Sequence, residues 1–410
     1  MMKKFVLASF TFLMMPMILF GQTRYLDSLF APTLSQGDVI YGQAPALNFP
    51  YFFENSTSSQ DLLMDVYTPQ GDLNTDRPCI VFAHGGAFIA GTKTDAPVVK
   101  FCEEMASKGY VVVSVEYRLG FNLTNRESAE RAVYRGIQDM KTAIRHVKEN
   151  ATNWGIDSSK VFAAGNSAGG VMAINAAYLD ESERLTLPSL SVSPDLGCLT
   201  CSGNTLMHGD VPLAIANLWG AIPDVDFINA NNSVPIIAFH GTNDNTVSPD
   251  SAHPFNYNTF PTLEGSNLII ERVNQLGVIN DYHKFYGEGH EPWGTIGETT
   301  QFDTIVDKTA QFFYQFLTPN VSVSDIENNL SFDAFPNPVL NDLTIRLSDN
   351  ENRNCMIMVT NALGQVIFNR KYTNHFSNIY TIPFQEFPKG TYNVLIESEG
   401  ARVSKIVVKL

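Results

Sequence analysis

From Leu62 to about Phe239, short apolar runs alternate with longer stretches in which apolar residues return every three or four positions. The runs Leu62–Tyr67, Cys79–Ala83, Tyr110–Tyr117, Val161–Ala164, Leu213–Leu218 and Val234–Phe239 are apolar almost throughout. That is the pattern of strands buried on both faces. Between them, 127–149 gathers Ala132, Ile137, Met140, Ile144 and Val147 near one face and sets Arg and Lys on the other, which predicts an amphipathic helix. A second helix is expected over 168–177, straight after the Val161–Ala164 strand. Strands and helices in this alternation predict an α/β fold, a mainly parallel sheet with helices on both faces.

Near Phe316 the helical periodicity stops. The runs Leu343–Leu347, Met356–Thr360, Val366–Arg370, Ile379–Pro383, Thr391–Ile396 and Val403–Lys409 are short, strand-like and separated by turn residues, as expected of a small β-sandwich. At 410 residues the chain exceeds what one compact core usually holds. The expected organisation is a leader at 1–21, a catalytic domain at 22–318, a linker at 319–332 and a β-sandwich at 333–410.

The leader opens with Lys3 and Lys4, runs through apolar residues broken by Pro16, and ends in small or polar residues around Gly21. It reads as a cleaved signal peptide, which leaves no membrane span in the mature chain. A net charge of -15 argues against nucleic-acid or anionic-membrane partners, both of which reward a basic face. Five cysteines are too few for a disulfide-built scaffold. Cys198 and Cys201 read as closing a small disulfide loop, because no second pair completes a zinc site; Cys79, Cys102 and Cys355 read as core.

The candidate chemistry starts at Gly165-Asn166-Ser167-Ala168-Gly169, where a buried strand must reverse into a helix. Glycines two positions either side relieve the sharp turn and leave Ser167 exposed at its apex. A serine hydroxyl needs a histidine base and a carboxylate that orients the histidine. Asp244 follows the late strand Val234–Phe239, and His290 follows the short run Tyr282–Tyr286. The order Ser167, Asp244, His290 brings all three to loops at one sheet edge. The oxyanion donors expected are the N–H groups of Gly86 and Ala87, in His84-Gly85-Gly86-Ala87-Phe88, and of Ala168. His84 reads as a prop for that loop, with no carboxylate partner evident; Trp219, Phe227 and the Cys198/Cys201 loop are expected in the pocket wall. Asn243-Asp244-Asn245 lacks the spacing of a calcium loop, and no metal or cofactor is implied.

HGGAF at 84–88, NWGIDSSKVFAAGNSAGG at 153–170, HGTNDNTV at 240–247 and GEGH at 287–290 resemble the α/β-hydrolase esterase/lipase family over about 62–317. Asn166 stands where that family often has an acidic residue, and Ala87 where lipases related to hormone-sensitive lipase have a third glycine. Secreted carboxylesterases and feruloyl or acetylxylan esterases are similar. The resemblance implies a serine carboxylesterase acting on small-molecule or polysaccharide-linked esters, with a peptidase of the same fold as the alternative. Phe335-Pro-Asn-Pro338, Asn361-Ala-Leu-Gly-Gln365 and Pro388-Lys-Gly-Thr-Tyr392 are similar to the type IX secretion sorting domain. That likeness implies type IX machinery as a partner, export across the outer membrane, and a secreted or cell-surface protein.

Overall fold

A computed structural model describes residues 23–184, 186–317, 332–347, 353–361, 365–375, 378–398 and 401–410. The expected signal peptide and nearly all of the expected linker lie outside them. Two compact units divide the chain, Met1–Thr318 and Pro319–Leu410.

The first unit is built on eight strands: β1 Ala31–Leu47, β2 Thr57–Gln70, β3 Arg77–Ala83, β4 Val111–Val115, β5 Ile156–Asn166, β6 Ile215–Leu218, β7 Ile236–Gly241 and β8 Asn280–Phe285. Their spatial order is β1-β2-β4-β3-β5-β6-β7-β8. The first two pairings, β1 with β2 and β2 with β4, are antiparallel. Every later pairing is parallel. The mainly parallel sheet read from the sequence is therefore present, with an antiparallel hairpin added at one edge.

Side chains one residue apart on a strand point to opposite faces, and this sorts the core. On β3, Cys79, Val81 and Ala83 join one buried cluster, while Ile80 and Phe82 join the other. The first cluster is roofed by α2 Arg126–Glu149, α3 Ala168–Tyr178 and α4 Ser266–Gln275. The second is roofed by α1 Ala96–Ser107 and α5 Thr300–Tyr314. Each fully buried Ile or Phe side chain contributes about 1.5–3 kcal/mol relative to exposure. Continuous apolar strands such as β3 are thus stable only with helices on both sides.

Helix α2 departs from the amphipathic reading. Arg131, Arg135, Lys141 and Arg145, expected on a charged outer face, are buried. Glu54 receives Arg131 and Arg135 at 2.7 and 3.0 Å, Asp210 receives Lys141 and Arg145 at 3.2 and 2.8 Å, and Asp139 of the helix itself pairs with buried Arg118 at 2.7 Å. Removing one member of such a buried pair typically costs about 3–5 kcal/mol.

The second unit pairs Phe332–Phe335, Asp342–Leu347 and Ile379–Pro383 in one antiparallel sheet, and Val366–His375, Arg353–Asn361, Gly390–Ser398 and Ala401–Lys409 in another. Ile345, Ile357, Ile382, Val394 and Val407 share one core. The strand at Phe332–Phe335 was not expected; buried Phe332 falls inside the expected linker. Among the described residues, no helix is long and apolar enough to cross a membrane.

Candidate active site

Strand β5 hands over to α3 at Ser167, whose backbone is held at φ 52° and ψ −116°. A non-glycine residue there costs about 1–3 kcal/mol, so the surrounding packing must enforce it. It does so by close backbone approach. A Cβ on Gly169 would sit 2.0 Å from the Ala83 carbonyl oxygen, and one on Gly165 would sit 2.4 Å from the Gly169 carbonyl. Helical glycine ordinarily costs about 0.5–1 kcal/mol against alanine; here an alanine has no room. Ser167 N–H donates to the Leu218 carbonyl at 2.9 Å, which ties the turn to the end of β6.

Asp244 and His290 come from the loops after β7 and β8. His290 lies between the other two groups, with Nδ1 2.7 Å from Asp244 Oδ2 and Nε2 2.9 Å from Ser167 Oγ. Asp244 Oδ1 accepts the N–H groups of Thr246 and Val247 at 2.8 and 3.0 Å. The carboxylate is also 3.3 Å from Nε2 of His240, a fully buried imidazole whose Nδ1 is 2.7 Å from Ser266 Oγ. Burial by itself would raise the Asp244 carboxyl, but hydrogen bonding to His240 and His290 outweighs it and holds the group well below the usual carboxylate range. Asp244 therefore stays ionised beside the imidazole.

The 84–88 loop follows β3. Gly86 lies at φ 113°, and a Cβ there would meet the Ala90 carbonyl oxygen at 2.0 Å; Ala87 and Phe88 also have positive φ, 54° and 60°. Among the described residues, the N–H groups of Gly86, Ala87 and Ala168 donate to no protein acceptor. His84 Nδ1 contacts the Gly85 carbonyl at 2.6 Å, its ring stacks on Tyr117 at 4.4 Å, and the Tyr117 hydroxyl donates to the His84 carbonyl at 3.0 Å. Contrary to expectation, His84 does have a carboxylate neighbour, since its Nε2 lies 3.3 Å from Glu116 Oε2. Glu116 also accepts from Thr92 Oγ1 and the Lys93 N–H. Burial raises that carboxyl, but His84, with Thr92 and the Lys93 N–H, outweighs it and brings it below its ordinary value.

Ser167, Ala87 and Ala168 open onto a cavity of about 550 Å³. Its wall comes from 121–133 and 254–263, with Val171 between them. Trp219, Phe227 and the Cys198/Cys201 loop, expected in that wall, are absent from the lining among the described residues. Trp219 is instead buried beside His290 and Trp293, at ring distances of 6.3 and 5.1 Å. Cys198 and Cys201 are joined in a disulfide.

Residues 64–193 match the family model BD-FAE, and 333–409 match the secretion system C-terminal sorting domain. The chain joins an esterase-type α/β-hydrolase domain to a secretion sorting domain. The neuroligin-like protein glit-1 of Caenorhabditis elegans is 34% identical over 152 residues, 36% of this chain and 20% of that one. Carboxylesterase patB of Penicillium expansum is 30% identical over 139 residues, 30% and 25% of the two chains. This chain thus spans about a fifth to a quarter of the length of these relatives. Apo esterase 2 of Thermogutta terrifontis is 20% identical with a TM-score of 0.47, covering 69% of this chain and 96% of that one.

The sorting domain marks the protein for export, to the cell surface or into the medium. Within the hydrolase domain, the residues that the motif reading missed are His240, Glu116 and the 254–263 wall. His240 stood in plain view in HGTNDNTV, at the end of β7 and four residues before Asp244. Asp226 and Asp250, other acids in this region, are exposed and engage Arg272 and Asn267.

Proposed function

We propose that this protein is a secreted serine carboxylesterase. The observation that carries the reading is His290, within hydrogen-bond reach of Ser167 Oγ on one ring nitrogen and of Asp244 on the other. Ser167 donates its proton to His290 Nε2 as Oγ attacks the ester carbonyl, and the imidazolium forms a charge pair with Asp244. The oxyanion accepts N–H groups from Gly86, Ala87 and Ala168, which have no competing acceptor. His290 then protonates the departing alcohol, and the acyl group remains on Ser167. Next His290 takes a proton from water as its oxygen attacks the acyl carbon, the bond to Ser167 Oγ breaks, Oγ takes that proton back from His290, and the carboxylic acid leaves.

One of the relatives is named as a carboxylesterase and another is not, so catalysis rests on the site rather than on the names. Ester rather than peptide cleavage is favoured because, among the described residues, no carboxylate lines the cavity to hold an amino terminus. Feruloyl or acetylated polysaccharide esters stay within the same chemistry. In this reading 1–21 directs the chain across the inner membrane, 22–318 is the enzyme, 319–332 links it to the tail, and 333–410 engages type IX machinery. The test compares p-nitrophenyl acetate with aminoacyl p-nitroanilides, for the full chain and for Ser167→Ala. Ester turnover lost in the variant is expected; turnover kept in Ser167→Ala, or a preference for the anilide, contradicts the proposal.

A further inference from the structure

The cavity at Ser167 is far larger than an acetyl group requires. Three heavy atoms, each about the size of a water molecule of roughly 30 Å³, would leave most of it empty. Its volume of about 550 Å³ lies in the range of roughly 300–1,000 Å³ seen for pockets that enclose whole small ligands. The lining is also chemically one-sided. Phe88, Phe121, Val133, Val171, Phe255 and Phe260 dominate it, and among the described residues no Asp, Glu, His, Lys or Arg side chain lines it. An ionised substituent there would lose its water and find no counter-charge.

The far wall is a built feature. Residues 253–262 form a loop closed at its base by pairing of Ser251 with Glu264 and Ala252 with Leu263. Phe260 meets Phe121 edge to face at 6.0 Å and Phe255 at 6.2 Å, which joins the loop to the opposite wall. The Phe255 N–H donates to the Thr246 carbonyl at 2.8 Å, and Thr246 N–H is one of the two backbone donors to Asp244. His253 Nδ1 lies 2.8 Å from the Phe260 carbonyl. Phe255 and Asn256 both have positive φ, 57° and 58°, a strained turn at the cavity mouth. Strain held by this many contacts fixes an aromatic lip in place before any ligand arrives.

We infer that the enzyme selects uncharged esters carrying a bulky apolar group, aryl or medium-chain alkyl, and that Phe121, Phe255 and Phe260 are its specificity-determining residues. The inference rests on the serine esterase reading above. The apolar group could belong to the acid or to the alcohol, and two substrate series separate these sources.

The experiment measures kcat/KM by pH-stat on the full chain, with methyl esters from acetate to octanoate and acetate esters from methanol to octanol. Burial of each added methylene should raise kcat/KM about fourfold, giving roughly a 250-fold climb over the first four in at least one series. A climb in the acid series assigns the cavity to the acyl group, and one in the alcohol series assigns it to the leaving group. Monomethyl glutarate, with its free carboxylate, should be cleaved at least tenfold more slowly than methyl pentanoate. In Phe260→Ala the octanoate-to-acetate ratio, or the octyl-to-methyl ratio, should fall about tenfold, whereas a purely structural role would lower both esters in proportion. Phe255→Ser, at the exposed lip, should shift the ratio in the same direction. Flat or falling profiles in both series, with turnover present, overturn the inference and leave the esterase standing; absence of turnover on every ester overturns both.

Discussion

Two pairs of loops at the carboxyl edge of the sheet each bring a histidine to a carboxylate, yet only one pair is arranged for proton transfer. After β7 and β8, His290 contacts Asp244 and keeps its second ring nitrogen 2.9 Å from Ser167 Oγ. After β3 and β4, His84 lies 3.3 Å from Glu116, with its other nitrogen against the Gly85 carbonyl and its face covered by Tyr117. His84 is fully buried, while the His290 side chain is 17% exposed. An imidazole–carboxylate pair is therefore not a base by virtue of its partner alone. What separates the two is the atom on the far side of the ring: a hydroxyl in one case, a backbone carbonyl in the other. The first geometry can move a proton, and the second fixes a loop.

Replacing His290 by Ala should give the largest effect, a drop in kcat of roughly 10⁴–10⁶, measured as ester turnover on the full chain. His84→Asn should cost much less, on the order of 10–100-fold, because it loosens the Gly86 and Ala87 donors without removing the base. Equal losses in the two variants would erase the distinction drawn here. Asp244→Asn should lower kcat by about 10⁴, through loss of the imidazolium partner and the correct tautomer. Glu116→Gln, its counterpart, should stay within about tenfold. Rates of the pair measured side by side sharpen the comparison from the carboxylate end.

Both carboxyls are held below their ordinary values in the folded protein, Asp244 the more strongly. A depressed carboxyl contributes stability that is present above the unfolded-state value, about 4 for Asp and Glu, and that is lost as pH falls through the folded value. Denaturant unfolding at pH 7, 4 and 3 should therefore show the native protein losing stability below about pH 4. Asp244→Asn should flatten that acid limb more than Glu116→Gln does. The smallest effect is expected at a third place. Cys201→Ser removes a disulfide that closes only a three-residue separation and lies outside the cavity wall, so kcat/KM should change less than about twofold.

The parts of the site readable in advance are those where backbone geometry dictates residue type. Gly165 and Gly169 are demanded by contacts of 2.4 and 2.0 Å, so the turn at Ser167 leaves a mark in the sequence. Asp244 and His290 were legible through their order, one after an apolar strand and the other after the short run Tyr282–Tyr286. Glu116 was not, because it reads as the polar end of the run Tyr110–Tyr117 and its partner is 32 residues away. The aromatic wall at 253–262 has neither helical nor strand periodicity, and its role arises only where Phe260 reaches Phe121. The charges of α2 were misplaced for a related reason. Their burial depends on Glu54 and Asp210, segments distant in the chain that periodicity cannot bring together. Strand β1 was missed because its half-exposed run carries Gly, Asp and Pro and lacks regular alternation.

The central claim is that Ser167 alone is made nucleophilic by the groups around it. Treating the full chain with a fluorophosphonate ester, then taking intact mass and mapping peptides, tests this directly. One equivalent of label on the peptide holding Ser167, absent in His290→Ala, is the predicted result. Label on another residue, or no label in a preparation that still turns over esters, would contradict the account.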